Sequence, residues 1–146
     1  MRITTRGRYA LRASLALAKM GMNGEPVSIN SLSGEEHISS VFLEQIFFKL
    51  RKAGIVSSVR GPGGGFSFAQ PLEKLTVKNI LEAAGEDLDI TFCDKRSKNC
   101  EWVGECMSHE VWTTANEKVK EYFSGITLSS ILEKNKNSPQ LGSMKT

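Results

Sequence analysis

Three cysteines and a histidine lie close together in the second half of the chain: Cys93, Cys100, Cys106 and His109. The intervals between them are six, five and two residues. Thiolates and imidazoles bind zinc and iron–sulfur clusters, so these residue types in one short segment indicate a metal site. Three cysteines cannot all pair with one another, and we expect a reducing, cytoplasmic environment in which disulfides are rare.

The spacing alone leaves the identity of the metal open. Zinc sites favour cysteine pairs separated by two residues, and no such pair occurs here. A looped array of thiolates can surround the larger volume of an iron–sulfur cluster. We therefore favour an iron–sulfur cluster, with zinc, or a purely structural role for a buried His109, as alternatives. Cys106 and His109 are predicted to start a helix and to face the same side of it.

The rest of the pattern predicts a mainly α fold with a small β-hairpin wing. An apolar helix is expected over 5–20, a second over 28–38, and a third that Ser39 or Ser40 caps and that runs to Gly54. A hairpin over 55–68 follows, and this order of elements is that of a winged helix-turn-helix. Further helices are predicted over 76–84, over 107–123 and from a Thr127 cap.

Charge and composition suggest how the chain is divided. Residues 1–74 hold ten basic and five acidic side chains, whereas residues 75–146 hold nine and eleven. The basic half is predicted to be a DNA-binding domain (1–74) and the rest a metal-binding loop with long helices (75–135) and a disordered tail (136–146). No run of eighteen apolar residues is present, so no membrane partner is expected.

Helical phase divides the third helix into two sides. The side predicted to be buried carries Phe42, Leu43, Ile46, Phe47, Leu50 and Ala53. The side predicted to be exposed or flanking carries Ser40, Val41, Glu44, Gln45, Phe48, Lys49, Arg51 and Lys52.

In a winged helix the third helix enters the major groove of DNA. Gln45 suits an adenine edge, and Glu44 can accept from cytosine N4. The remaining polar side chains of this face suit phosphates: Ser40, Lys49, Arg51 and Lys52.

The hairpin tip reads Arg60, Gly61, Pro62, Gly63, Gly64 and Gly65. Its glycines allow the backbone to approach the DNA, so Arg60 is predicted to enter a narrow minor groove, with Gly61, Pro62 and Gly63 beside it. A flexible turn with an ordinary surface arginine is the alternative. A nucleotide-binding P-loop is disfavoured because no Lys-Ser/Thr follows the glycines.

The sequence also resembles a known family. The opening MRITTRGRYALRA, the segment FLEQIFFKLRKAGIVSSVRGPGGGF, the cysteine loop and the closing ITLSSIL are similar to IscR-type iron–sulfur regulators, whose relatives include the nitric-oxide sensor NsrR. The resemblance covers about residues 1–135. It departs from the family at the six-residue interval between Cys93 and Cys100, which is one residue longer than expected.

The resemblance implies a homodimeric winged-helix repressor or activator that binds double-stranded DNA at a promoter operator. It implies a 2Fe–2S cluster bound by Cys93, Cys100, Cys106 and His109, and a long helix that packs against its twin. It assigns Glu44, Gln45 and Arg60 to DNA contact. Relatives with a 4Fe–4S cluster can use an acidic ligand near the N-terminus, which is lacking around Arg8.

Other classes of function remain as alternatives. An electron-transfer or cluster-carrier protein would use the cysteines but not the winged helix. A cluster-free regulator of the same fold would use the winged helix and bind zinc or a partner enzyme instead of an iron–sulfur cluster. A nitric-oxide-sensing regulator of this fold is a further alternative. An enzyme is not expected, because no nucleophile, base and acid set and no open catalytic metal site is apparent.

Overall fold

The computed structural model of the chain describes residues 2–93, 100–102 and 104–137. Within them the elements are α1 (Thr5–Met20), α2 (Ile29–Glu36), α3 (Ser40–Lys52), β1 (Val56–Val59), β2 (Gly65–Phe68), α4 (Val77–Ala83), α5 (His109–Ser124) and α6 (Leu128–Lys134). This order confirms the predicted mainly α fold with a hairpin wing. None of the described helices is long and apolar enough to span a membrane.

Hydroxyl side chains begin most of these helices. Ser28, Ser39 and Thr127 each accept a hydrogen bond from the backbone N–H three residues later, which satisfies a donor that the first turn leaves unpaired. Capping by Ser39 and Thr127 confirms the sequence prediction. α2 is shorter than predicted, because His37 adopts a left-handed conformation with φ of 55° and ends the helix before Ile38.

The main core joins both halves of the chain. α1, α2 and α3 contribute most of its buried side chains, including Leu17, Leu32 and Phe47. Leu75 and Ile80 from the region of α4, and Leu128 from α6, belong to the same cluster. The helices that follow the wing therefore complete the core that α1, α2 and α3 begin.

The wing is an antiparallel pair in which Val56 lies opposite Phe68 and Val59 opposite Gly65. A third short strand segment joins it at Val27, whose backbone exchanges hydrogen bonds of 2.8 and 2.9 Å with Phe66. The sequence reasoning did not find this pairing. It attaches β2 of the wing to the chain segment between α1 and α2.

Two side-chain placements differ from prediction. Ala53 is exposed rather than buried, because α3 ends at Lys52 and the chain turns at Gly54 with φ of 76°. The fifth helix begins at His109 rather than Met107, and Met107 is 98 % exposed. Cys106 therefore precedes the helix and does not share its first turn with His109.

Candidate nucleic-acid interface and cysteine segment

One side of α3 faces solvent, as predicted. Glu44 and Gln45 are exposed and make no side-chain hydrogen bond or ion pair with the residues that the structure describes. Arg51 and Lys52 are exposed near the end of the helix, whereas Ser40 and Lys49 are half-buried at its start and flank. This side carries hydrogen-bonding groups without internal partners, as a surface that reads base edges requires.

Phe48 organises the basic end of α3. Its ring is 52 % exposed, and the Arg51 guanidinium and the Lys52 ammonium lie 5.7 and 5.8 Å from its centroid. Cations over an aromatic face are attracted by its quadrupole. Arg51 Nη1 also donates to Ser58 Oγ at 3.3 Å. These contacts gather two positive charges where α3 meets the wing.

The tip of the wing projects into solvent. Arg60, Gly61, Pro62 and Gly63 are all exposed. Gly61 and Gly63 have φ of 93° and 75°, and among the described residues, apart from those adjoining each glycine, no atom lies within 4 Å of where their Cβ atoms would be. The glycines thus allow the turn and leave room at the tip for another molecule.

Two further basic side chains, Arg6 of α1 and Lys49 of α3, lie near each other around Gly85, a proximity that the sequence reasoning did not single out. A Cβ built on Gly85 would lie 3.2 Å from Arg6 Nη2 and 3.9 Å from Lys49 Nζ, so the two cations are neighbours. Arg6 Nε is buried and has no hydrogen-bond partner among the described residues. The proximity of these two cations depends on how α1 and α3 pack, and no local sequence pattern indicates it.

Of the candidate metal ligands, His109 begins α5 and the three cysteines precede it, in described stretches (91–93, 100–102 and 104–108) of turns, bends and irregular backbone. Cys93 and Cys100 are half-buried and Cys106 is exposed, all three as free thiols. Ser108 Oγ lies 3.1 Å from Cys106 Sγ, and hydrogen bonding from Ser108 lowers the pKa of the Cys106 thiol below its usual value. The His109 N–H donates to the Cys106 carbonyl at 3.2 Å.

The donor set fits an iron–sulfur cluster by its chemistry, since thiolates with one imidazole are known cluster ligands. Across residues 2–93, 100–102 and 104–137, no three histidine, cysteine, aspartate or glutamate side chains lie together as a ready metal site. Binding would therefore require Cys93, Cys100, Cys106 and His109 to converge.

Asn116 fixes the start of this segment to α5. It is 3 % exposed and is the one buried residue of that helix. Its amide oxygen accepts from the Ile90 N–H at 2.7 Å, and its amide nitrogen donates to the Thr91 carbonyl at 3.2 Å. One turn on, Lys120 Nζ lies 2.6 Å from Asp89 Oδ1. Residues 89–91, just before Cys93, are thus held against the helix that begins at His109.

Glu86 connects the same segment to the N-terminus of α1. Its side chain is nearly buried and accepts hydrogen bonds from the Gly7 N–H at 3.0 Å, the Thr4 N–H at 3.3 Å and the Thr4 hydroxyl. A carboxylate at a helix N-terminus is stabilised by the helix dipole. A Cβ on Gly7 would lie 2.6 Å from Glu86 Cγ, so only glycine permits this contact.

We expect Asn116→Ala to lower the free energy of unfolding by about 1–3 kcal/mol, because it removes both hydrogen bonds from a buried site. Thr114→Ala, which changes an exposed residue of the same helix, is the matched control. Chemical denaturation compares the two variants. Equal stability of the two variants would show that the Asn116 contacts do not hold residues 90–91.

The fold, with its exposed α3 and hairpin, is that of winged-helix transcriptional regulators. A family model described as Rrf2, iron-dependent transcriptional regulator, matches residues 3–134. The chain belongs to the Rrf2 family and is a DNA-binding transcriptional regulator.

Individual relatives agree with this assignment. A helix-turn-helix-type transcriptional regulator of Neisseria meningitidis is 40% identical over 137 residues, which cover 94% of this chain and 91% of that protein. The regulator IscR of Pectobacterium carotovorum is 36% identical over 132 residues, which cover 90% and 79%. The solved structure of T. potens IscR superposes with a TM-score of 0.74 at 28% identity and covers 99% of this chain and 96% of that one. The predicted resemblance to IscR-type regulators is confirmed.

Proposed function

We propose that this regulator is a homodimer whose sequence-specific DNA binding is controlled by a 2Fe–2S cluster bound by Cys93, Cys100, Cys106 and His109. The observation that carries the proposal is that three free thiols and an imidazole lie in one segment. Glu86 ties the start of that segment to α1, and Asn116 ties it to α5. A conformational change in this segment would therefore act directly on α1 and α5.

On DNA, α3 would lie in the major groove and the wing tip beside the minor groove. Gln45 is assigned to an adenine edge and Glu44 to cytosine N4, because both side chains are exposed and have no side-chain partner among the described residues. Arg60 is assigned to the minor groove. The phosphates are assigned to Ser40, Lys49, Arg51 and Lys52, with the backbone of Gly61, Pro62 and Gly63 close to the sugar–phosphate chain.

The apolar side of α5 supports a homodimer. Val111 is 60 % exposed, Trp112 is 38 % exposed and Tyr122 is 66 % exposed, although an amphipathic helix normally buries such side chains. A second copy of the same helix would cover them symmetrically. Each subunit would then present its α3 to one half of the operator.

When bound, the cluster would supply a thiolate-ligated redox centre to this segment. The contacts of this segment with the rest of the chain determine how cluster binding would affect the DNA-binding elements α3 and the wing. Convergence of Cys93 on His109 would be transmitted to α5 through residues 89–91, which Asn116 and Lys120 hold on that helix. It would be transmitted to α1 through Glu86, which accepts hydrogen bonds from the Thr4 and Gly7 N–H groups. Regulation then requires that the two arrangements of this segment differ in their affinity for DNA.

DNA affinity is expected to fall steeply with salt, because basic side chains displace counterions from phosphates. Arg60→Ala should weaken operator binding by about 5- to 150-fold, as expected for loss of about 1–3 kcal/mol at a specific contact. Lys136→Ala changes an exposed cation beyond the end of α6 and should have no effect. Binding titrations at several salt concentrations measure both variants. An Arg60→Ala protein that binds like Lys136→Ala would remove the wing from the mechanism.

Selection from a random DNA pool separates this function from electron transfer or cluster delivery. A regulator should enrich a two-fold symmetric sequence, since each subunit of a dimer reads one half-site. Enrichment of no sequence by either the iron-loaded or the iron-free protein would contradict the proposed function.

A further inference from the structure

Val41 is an apolar side chain on the exposed side of α3. It lies in the first turn of α3 and is 65 % exposed, whereas the core side of the helix buries Leu43 and Ile46 completely. A branched apolar side chain gains nothing from water, so a partner outside the described residues would explain it. The assignments of polar contacts to this helix leave Val41 without a role.

The neighbours of Val41 indicate which partner it meets. Residues three and four apart on a helix share one side, so Val41 lies one turn before Glu44 and Gln45 on the surface assigned to base edges. The other exposed apolar residue of this surface, Phe48, already has two cations over its ring. Val41 is therefore the apolar group that stays available on this side of the helix.

Base edges in the major groove offer one prominent apolar group, the C5 methyl of thymine. The N-terminal residues of a recognition helix are those that contact base edges. One helical turn advances about 5 Å, which corresponds to about one or two base-pair steps. A residue one turn before Gln45 therefore meets a base pair adjacent to, or one beyond, the pair that Gln45 contacts.

We propose that Val41 is a specificity-determining residue that packs against the methyl group of an operator thymine, within two base pairs of the base contacted by Gln45. The proposal rests on the proposed function only where that function puts α3 in the major groove. A contact of Val41 with thymine would add an apolar contact to the base contacts assigned to Glu44 and Gln45, which are both polar.

Replacing thymine by deoxyuridine tests the contact at the level of one methyl group, because the base pair and its hydrogen bonds are unchanged. Each thymine of a selected operator is replaced in turn. One position per half-site should bind about fourfold more weakly, as loss of one buried methyl predicts (about 0.8 kcal/mol). Val41→Ala should bind the thymine and deoxyuridine duplexes equally, while Val41→Ile should keep the preference for thymine.

Val59→Ala is the matched control, because Val59 is a half-exposed valine of the wing. It should leave the preference for thymine unchanged. If no position responds to deoxyuridine, or if Val41→Ala responds like the unaltered protein, the proposal is overturned while salt-dependent operator binding still supports the proposed function. If the unaltered protein binds no duplex, the proposed function and this contact fail together.

Discussion

Cys106→Ala is expected to reduce the iron and sulfide content of protein purified without oxygen by about tenfold or more. Loss even of an outer-shell partner of a metal ligand weakens metal binding by about 10- to 100-fold, and in the proposed site this substitution removes one of the four ligands. Cys106 lies beside the first residue of α5 and is exposed, so its loss leaves no cavity in the core. Iron and acid-labile sulfide assays, with an absorption spectrum, measure the outcome.

Met107→Ala is the matched control for this variant. Met107 is the next residue, is 98 % exposed and has no ligand role, so its replacement should leave iron and sulfide unchanged. An equal iron and sulfide content in the two variants would contradict ligation by Cys106. Zinc in place of iron in the unaltered protein would favour the cluster-free alternative.

Gly65→Ala is expected to lower the free energy of unfolding by about 3 kcal/mol. Its φ of 152° is strained for a residue with a side chain, and the added Cβ would lie 2.2 Å from the Val27 carbonyl oxygen. Relief of that clash separates Val27 from Phe66 and loses two backbone hydrogen bonds, each contributing about 1 kcal/mol. Thermal unfolding should show a midpoint about 10 °C lower for a chain of this size.

Gly34→Ala provides the comparison for that measurement. Gly34 lies in α2 with open space around its Cβ position and no positive φ, so alanine should stabilise the helix slightly. A Gly65→Ala protein as stable as Gly34→Ala would show that the pairing of the wing with Val27 is not required.

The features that the sequence predicted well depend on local interactions. The bounds of α1 and the caps Ser39 and Thr127 follow from helix propensity and from hydroxyls placed before apolar runs. The exposed side of α3 follows from helical phase, because its apolar residues have one core to face. The error at Ala53 arose because phase alone does not mark where a helix ends.

Contacts between distant segments account for what the sequence did not predict. Three such contacts each join residues far apart in the chain: the β-bridge between Val27 and Phe66, the hydrogen bonds of Glu86 to the start of α1, and the hydrogen bonds of Asn116 to residues 90–91. Residue type gives little warning of them, because glutamate and asparagine are ordinarily surface residues. The start of α5 was placed too early because the four-residue apolar spacing continues back to Met107, where the chain is not helical.

The glycines of the wing include some whose role the sequence predicted and others whose role it did not. The sequence suggested that they allow close approach to DNA, and the open surroundings of Gly61 and Gly63 are compatible with that role. Gly64 and Gly65 instead serve the hairpin, since a Cβ at either position would lie 2.2 Å from a backbone oxygen. A single glycine-rich string thus combines a structural requirement with a candidate binding surface.

In the proposed mechanism, cluster binding to the cysteine segment changes the affinity of α3 and the wing for DNA. Operator affinity of the iron-loaded protein and of the same preparation after chelation, both measured without oxygen at one salt concentration, tests it directly. We expect the two affinities to differ by about 5- to 150-fold, the usual range for coupling between two sites. Equal affinity of the loaded and the stripped protein would contradict it.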